Sequence, residues 1–228
     1  MTTKKDIYKN YLVIKPWGDE YTIFNDKDKL GITLVKINPG KSTSLHCHPN
    51  KKTGFIILKG NPIIQVGIHS KNNWVSKPLS ILVIRPGLFH SLKNPKKSKY
   101  PIYALEFETP FIKKDLLRFK DKYGRQKKGY ENKKYMKKLD NDFIIFKKTS
   151  LKNSYKLFDR NIIIQNIKKR SQLNKLKNNS VSAILEGKII DKNQKVALNY
   201  GEIIKTNTLK ILTKKFSIHT KLLVLNVS

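Results

Sequence analysis

The feature that most constrains the fold is a series of short apolar segments, each closed by turn-forming residues. The segments are rich in isoleucine, valine, leucine and aromatic residues, which favour β-strands. The turns between them, such as NPG, HPNKK and GNP, contain strand-breaking glycine, proline and asparagine. Many short strands at roughly regular spacing predict an all-β sandwich or barrel. In the first half the predicted strands are Gly31–Ile37, Gly54–Gly60, Pro62–Ile68, Ser80–Gly87 and Pro101–Glu108.

The composition supports a folded protein and excludes several classes. The chain has 228 residues, of which 39% are hydrophobic, enough for a real apolar core. Cys47 is the single cysteine, so no disulfide can form within the chain. The N-terminus lacks a long apolar signal segment, and no run approaches the ~18 apolar residues of a membrane span. We therefore expect a soluble, cytoplasmic protein with no membrane partner.

The formal net charge of +32 raises the question of a nucleic acid partner. The basic residues are 43 lysines and only 5 arginines, and they are spread along the chain. Groove-reading proteins rely on arginine for bidentate contacts, whereas abundant lysine, asparagine and isoleucine are typical of an AT-rich genome. We therefore favour compositional drift over nucleic acid binding. The charge should still draw small anions, such as sugar phosphates, to an open cleft.

Differences in local composition divide the chain into residues 1–108, 109–142 and 143–228. Residues 109–142 carry many charges and few β-branched residues, which predicts a charged linker or helical arm. Within this arm, Leu116, Leu117 and Phe119 would form one apolar helical turn. Strand-like segments return in residues 143–228 and predict a second β unit.

The second β unit looks like a repeat of the first. An offset of 127 residues places Gly187 over Gly60 and aligns SAILEGKII with FIILKGNPI. At the same offset Leu173 falls on His46, and Lys175 and Ser180 fall on His48 and Thr53. A shorter offset places Gly201 over Ser80 and Ile211 over His90. The second unit therefore keeps the strand skeleton but lacks the histidines.

Those histidines form the clearest candidate site. On a strand, His46 and His48 project to one face while Cys47 points away, and two adjacent imidazoles are suited to binding a metal. His90 follows the RPGLF turn and is the best candidate for a third ligand. His69 and His219 have no comparable setting, so we expect both at the surface. The pair alone is equally compatible with a structural role.

The spacing around the histidines resembles the two motifs of the cupin family. The first motif, G-x5-H-x-H-x3,4-E-x6-G, is matched at Gly40, His46, His48 and Gly60, with Thr53 in place of the glutamate. The second, G-x5-P-x-G-x2-H-x3-N, is matched at Gly87, His90 and Asn94, with Pro86 one residue late and Leu79 in place of the first glycine. The resemblance spans residues 31–108. It implies a double-stranded β-helix, the cupin jelly-roll barrel, and two tandem barrels joined by a partly helical arm.

The resemblance also implies that His46, His48 and His90 bind one divalent transition metal inside the barrel. Thr53 departs from this pattern, because a threonine hydroxyl is a poor ligand and leaves the charge of the ion uncompensated. Three histidines can still bind Zn²⁺, Fe²⁺, Mn²⁺ or Ni²⁺ with open positions for water or substrate. The substitution is therefore compatible with chemistry and also with a cupin that is losing its metal.

Glu106 could supply the missing carboxylate. In the segment PIYALEFE, Ala104, Glu106 and Glu108 share one face and the aromatic residues share the other. If Glu106 points inward, it would be a metal ligand or a general base. The alternative applies to a sheet with one solvent-exposed face: Glu106 and Glu108 would then face solvent, and the aromatic residues would pack in the core.

Segments outside the histidine motifs resemble phosphomannose-isomerase-like cupins of sugar-nucleotide and surface-polysaccharide pathways. The segments are VIKPWGDEY at residues 13–21 and ETPFIKKDLLRFKDKYGR at residues 108–125. The resemblance implies a metal-dependent isomerase or epimerase acting on a sugar phosphate or nucleotide sugar. A carboxylate such as Glu106, or a metal-bound water, would then move the proton. Lys52, Thr53 and Arg85 are candidates for substrate binding, and Lys51 and Lys93 also flank the motifs and could hold a phosphate. The alternatives are a non-catalytic cupin that binds a sugar or a partner, and an Fe-dependent dioxygenase; cupins also often form homodimers.

Overall fold

The computed structural model describes residues 8–228, which fold almost entirely into antiparallel β-sheets. The predicted all-β class and double-stranded β-helix are confirmed. No helix in this part of the chain is long and apolar enough to cross a membrane.

The first sheet has seven strands and forms one wall of the barrel. Its strands, in spatial order, are β12 (Met136–Lys138), β1 (Tyr11–Lys15), β2 (Gly18–Asp26), β3 (Leu30–Ile37), β10 (Ile102–Thr109), β5 (Lys52–Lys59) and β8 (Ile81–Ile84). The alternation along β3 sends Val35 and Ile37 into the barrel and Ile32 and Leu34 to the opposite face. This sheet is buried on both faces.

The second sheet has five strands and forms the facing wall. Its strands, in spatial order, are β11 (Leu117–Lys120), β4 (Leu45–Cys47), β9 (His90–Lys93), β6 (Ile63–Val66) and β7 (Asn73–Val75). Ile64 and Leu92 of this sheet pack against Phe55 and Ile57 of the first sheet and close the apolar end of the barrel.

The region expected to be a linker or helical arm belongs to the barrel. Its strand β11 pairs with β4, and its strand β12 pairs with β1, so residues 109–142 extend both sheets. The only helical element there is a three-residue 3-10 turn, Lys133–Tyr135. The predicted helical turn at Leu116–Phe119 is wrong because β4 offers an unpaired edge, and edge pairing overrides a weak helical pattern. On β11, Arg118 is buried while Leu117 and Phe119 are exposed.

The second half contains one sheet and two helices instead of a second two-sheet barrel. The sheet contains β13 (Lys152–Leu157), β14 (Arg160–Ile167), β18 (Ser217–Val227), β15 (Val181–Ile190) and β16 (Val196–Leu198), with β17 (Ile203–Lys205) also pairing with β15. The helices are α1 (Arg170–Asn174) and α2 (Thr206–Lys215). They pack on one face of this sheet, where Leu173 and Leu209 are completely buried.

The strand order of the second half repeats that of the first. In the barrel, β2, β3, β10, β5 and β8 are neighbours in that order; in the second half, β13, β14, β18, β15 and β17 follow the same path. The aligned turn glycines Gly60 and Gly187 both have left-handed φ values, 84° and 89°. The topology thus agrees with the repeat that the sequence offset predicts.

The two halves share one large apolar core. The outer face of the first sheet, including Leu34, Leu105 and Phe107, packs in one cluster with Ile164 and Leu225 of the second half. As a result β10 is covered on both sides, and its aromatic face points away from the barrel interior. The other face, which carries Glu106 and Glu108, therefore points into the barrel and not to solvent.

Candidate metal centre

Three histidines converge inside the barrel. His46 on β4 and His90 on β9 are direct partners across the two strands, and His48 follows immediately after β4. One ring nitrogen from each of the three lies within 4.8 Å of the others. The sequence therefore predicted the cluster correctly, including the long-range contribution of His90.

Each histidine is held in the same tautomer by a backbone carbonyl group. A carbonyl oxygen only accepts hydrogen bonds, so Nδ1 of each ring must donate and Nε2 keeps its lone pair. The hydrogen bonds run from His46 to the carbonyl of Ser44 (2.8 Å), from His48 to that of Asp115 (2.6 Å) and from His90 to that of Leu88 (3.1 Å). Ligand histidines in metal sites are typically oriented in this way.

The histidines are also uncharged at neutral pH. Burial lowers the pKa of His46 well below its ordinary value, lowers that of His48 to about 3 and lowers that of His90 to about 4. Within the described residues, the buried Nε2 atoms of His48 and His90 have no hydrogen-bond partner. A buried nitrogen without a partner is costly unless a ligand satisfies it, and a divalent ion would do so. The donor set therefore fits the metal that the fold implies.

Glu106 lies in the same cavity. The Oε1 atom of Glu106 is 4.0 Å from Nε2 of His48. The other two carboxylates of the cavity, Glu20 and Glu108, form ion pairs with lysines, whereas Glu106 forms none with a described lysine or arginine. Burial, reinforced by the neighbouring Glu108 carboxylate, raises the pKa of Glu106 to about 8. At neutral pH this carboxyl group can therefore both hold and release a proton.

Thr53 points into the barrel interior, as the motif requires, but it does not line the cavity. Its hydroxyl is buried without a hydrogen-bond partner among the described residues, and Thr53 lies opposite Glu108 in the pairing of β5 with β10. Lys52 and Arg85 are not in the cavity either. Lys52 forms an ion pair of 2.5 Å with Glu202 of the second half, and Arg85 is exposed in the turn before His90. Lys52 and Arg85 thus lie outside the cavity of the histidines, and their part in substrate binding stays a prediction.

The cavity is lined instead by a network of buried charges, of which the sequence singled out only Glu106 and Lys51. Its charged residues are Lys15, Glu20, Lys51, Glu106, Glu108, Lys113, Arg118 and Arg125. Burial alone would raise the pKa of Glu108. Its ion pairs with Lys113, at 2.8 Å, and with Lys51 instead hold that pKa well below its usual range. Arg118 and Arg125 are two of only five arginines, and this scarcity was a signal that could have marked them.

A model of the mannose-6-phosphate isomerase C-terminal family matches residues 3–121, which is more than half of the chain. The chain belongs to this family. Its curated relatives include the xanthan biosynthesis protein XanB of Xanthomonas campestris (26% identity) and mannose-1-phosphate guanylyltransferase of Salmonella montevideo (27% identity). Each alignment covers 117 residues, which is 50% of this chain and only 23% of the relative's length.

Solved structures with a similar chain path are cupins and polysaccharide-assembly proteins. One is a sugar phosphate isomerase from a cupin superfamily of Silicibacter pomeroyi, with a TM-score of 0.35, 16% identity, and coverage of 40% of this chain and 58% of that chain. Another is the capsular polysaccharide assembling protein CapF of Staphylococcus aureus, with a TM-score of 0.42, 14% identity, and coverage of 48% and 34%.

The matched family region ends at residue 121, inside a segment that closes the cavity. We define this cap segment as residues 111–131. Its Asp115 carboxylate accepts hydrogen bonds from the backbone N–H groups of Asn50 and Lys51 and from the Asn50 amide, at 2.8–3.0 Å. The carbonyl of Asp115 also orients His48. The cap segment thus fixes the turn that follows the first two histidines.

Proposed function

We propose that this protein is a metal-dependent cupin of the isomerase or epimerase type that acts on a sugar phosphate or nucleotide sugar. The observation that carries the proposal is the convergence of three uncharged histidines, one ring nitrogen of each within 4.8 Å of the others, beside the Glu106 carboxyl group, whose pKa is raised. The family and the curated relatives, which are sugar-nucleotide pathway proteins, support the substrate class.

His46, His48 and His90 would hold one divalent transition metal, with Zn²⁺, Fe²⁺, Mn²⁺ and Ni²⁺ all compatible with three imidazoles. When bound, the metal supplies Lewis-acid polarisation of a sugar carbonyl or hydroxyl group. The carbonyl groups that hold the Nδ1 atoms orient the rings before the ligand arrives, so little reorganisation is needed.

Glu106 would move the proton. An isomerase must take a proton from one carbon and return it to a neighbouring carbon or oxygen, so its acid–base group works best with a pKa near the working pH. The carboxyl group of Glu106 meets this condition because burial and Glu108 raise its pKa to about 8. Glu108 cannot play this part, since Lys51 and Lys113 keep it charged.

The remaining charges would attract the anionic end of the substrate. Five cations and three acidic residues line the cavity, so the lining carries a net positive charge. Because the pKa of Glu106 is raised, this carboxyl group is only partly ionised at neutral pH. A positive, partly dry cleft concentrates anions and strengthens their interactions. Lys51 and Lys113 lie nearest to the reactive carboxylates and would take this role inside the cavity.

The test is proton exchange in deuterated water. Metal-loaded protein is incubated with mannose 6-phosphate, fructose 6-phosphate and a panel of nucleotide sugars, and deuterium uptake at carbon is followed by NMR. We expect uptake with at least one compound and a loss of at least about 100-fold in Glu106→Gln, since general acid–base groups contribute about 10²–10⁴-fold. Lys52→Ala is the matched control and should exchange at the wild-type rate.

Three outcomes would contradict parts of this proposal. Unchanged exchange in Glu106→Gln would remove this residue from the mechanism. Saturable binding of a sugar phosphate without any exchange would favour the non-catalytic cupin, which Thr53 at the motif position specifically favours. Oxygen consumption after Fe²⁺ loading would favour the dioxygenase instead. The homodimer stays a prediction.

A further inference from the structure

A larger cavity lies beside the metal centre and is not explained by it. The inner cavity around the histidines encloses about 60 Å³, whereas the neighbouring groove encloses about 530 Å³. The groove is lined by Ile14, Lys15, Pro16, Tyr123, Arg125, Lys128, Gly129, Tyr130, Glu131, Asn132 and Tyr135. A volume of this size is typical of sites for whole small molecules.

The two cavities share a wall. Lys15, Arg125 and Tyr130 line both of them. At about 60 Å³ the inner cavity is far smaller than the 300–1,000 Å³ typical of ligand pockets, so it does not hold a complete hexose phosphate. A carbohydrate whose reacting end approaches the histidines must therefore have most of its volume on the groove side of this wall.

The groove combines flat rings with positive charge. Tyr123, Tyr130 and Tyr135 supply aromatic surfaces, and Tyr135 is 43% exposed, so its ring is open to a ligand. Lys128 is exposed and forms no ion pair with another described residue, whereas Lys15 is paired with Glu20 and Glu131, and Arg125 with Asp121 and Glu131. Aromatic faces stack on nucleobases of any sequence, and arginine and lysine bind phosphate groups.

The charged end of the groove is rigid. Arg125 is held by Asp121 at 2.7 Å and by Glu131 at 2.8 Å, and its guanidinium lies 5.2 Å from the ring centroid of Tyr123. The hydroxyl of Tyr123 donates to the carbonyl of Ser42 at 3.2 Å. These contacts fix one ring and one cation side by side at the wall next to the metal cavity, so the groove is organised before a ligand binds.

We propose that this groove binds the nucleoside diphosphate part of a nucleotide sugar, with the base against the tyrosines and the diphosphate at Arg125 and Lys128. The sugar would then point across the shared wall towards the histidines. The proposal rests on the proposed function for the fate of the sugar, and it selects a nucleotide sugar over a simple sugar phosphate as the substrate class.

The experiment is calorimetric titration of the purified full chain with UDP and GDP, with inorganic pyrophosphate as the anion-only probe. We expect both nucleotides to bind more tightly than pyrophosphate. Tyr135→Ala should weaken the nucleotides by about tenfold and leave pyrophosphate unchanged, since one base–aromatic stack is worth about that factor. Tyr100→Ala removes an exposed ring outside the groove and is the matched control, and Tyr135→Phe should bind like the wild type.

A second variant separates this proposal from the proposed function. His46→Ala removes a metal ligand but no groove residue, so UDP should still bind although any exchange activity is lost. Equal affinity for UDP and pyrophosphate, or equal loss in Tyr135→Ala and Tyr100→Ala, would overturn the proposal even if the metal centre is active. Binding of polyuridylate without binding of UDP would overturn it as well.

Discussion

The two halves of the molecule follow the same strand order but differ in what faces the sheet. In the first half, a second sheet carries His46 on β4 and His90 on β9. In the second half, α1 contains Leu173, the residue aligned with His46, and α2 covers the region aligned with His90. One copy keeps a polar interior, whereas in the other copy two helices occupy the same place and bury Leu173 and Leu209 there.

The buried polar groups show the same contrast. Glu106 pairs with Phe55 across β10 and β5. The residue aligned with Phe55 at the offset of 127 is Ser182, and its partner on β18, in the place of Glu106, is Asn226. Asn226 donates to Ser182 at 3.1 Å and to Thr206 at 2.9 Å, so this cluster is satisfied internally. In the first half, by contrast, the buried Nε2 atoms of His48 and His90 have no hydrogen-bond partner among the described residues. Unsatisfied polar atoms mark a site for a ligand, whereas satisfied ones mark a structural core.

The largest effect should come from Leu173→Ala. This side chain is completely buried on α1, so its truncation should lower the free energy of unfolding by about 2–5 kcal/mol. Metal content should stay unchanged. The aligned substitution His46→Ala should do the opposite and remove the metal with little loss of stability in the metal-free protein. Urea unfolding together with elemental analysis measures both; equal effects of the two variants would contradict the contrast between the halves.

The metal-free protein should lose stability as the pH falls from about 6.5 towards 4. The three histidines have a pKa below their ordinary value in the folded state, so the unfolded chain binds protons that the folded chain does not. Each contributes a slope of about 1.4 kcal/mol per pH unit in this window. His90→Gln should flatten the profile measured in the presence of a chelator. The exposed His219→Gln is the control, and a parallel change in both variants would refute the explanation.

A smaller effect on metal binding is expected at Asp115, whose carboxylate holds the turn that follows His48. Asp115→Ala removes the acceptor for Asn50 and Lys51, and loss of such supporting contacts weakens metal binding by about 10–100-fold. Asp115→Asn keeps one acceptor oxygen and should lose less. Competition with a chromophoric chelator gives the affinities. The exposed Asp140→Ala should match the wild type, and a dissociation constant for Asp115→Ala within twofold of it would exclude the positioning role.

The smallest effect should come from Lys52→Ala. Its ion pair with Glu202 joins the two halves, but both side chains are about one-third exposed, so the pair contributes at most about 1 kcal/mol. Thermal unfolding should show one cooperative transition with a small shift. Separate transitions of the two halves in this variant would mean that the pair, and not the shared apolar core, holds them together.

The sequence predicted the barrel and the three histidines because strand alternation and turn residues are local signals. It predicted β11 as a helix because the pairing partner β4 lies about 70 positions away in the chain, beyond any local pattern. Leu79 shows a different limit: it replaces the motif glycine and nevertheless adopts a left-handed φ of 63°. A glycine motif therefore records a backbone shape that another residue can sometimes also adopt.

The orientation of Glu106 could not be decided from the sequence. Alternation places Glu106 and Phe107 on opposite faces of β10, but both faces are covered here, since the second half packs on the aromatic one. Which face of β10 is accessible to solvent depends on how the second half packs against it. The pairing of Lys51 and Lys113 with Glu108 was equally hidden, because by pattern Lys113 is indistinguishable from the other forty-two lysines and Lys51 stood out only by its place beside the first motif.

The most direct test of the central claim is the metal content of the purified protein, measured by mass spectrometry after dialysis against trace divalent ions. A buried three-histidine centre in the first half predicts about one divalent transition ion per chain, none in His46→Ala or His90→Ala, and full content in His69→Ala. A wild-type protein without metal under these conditions, or a His46→Ala variant that retains it, would contradict the account.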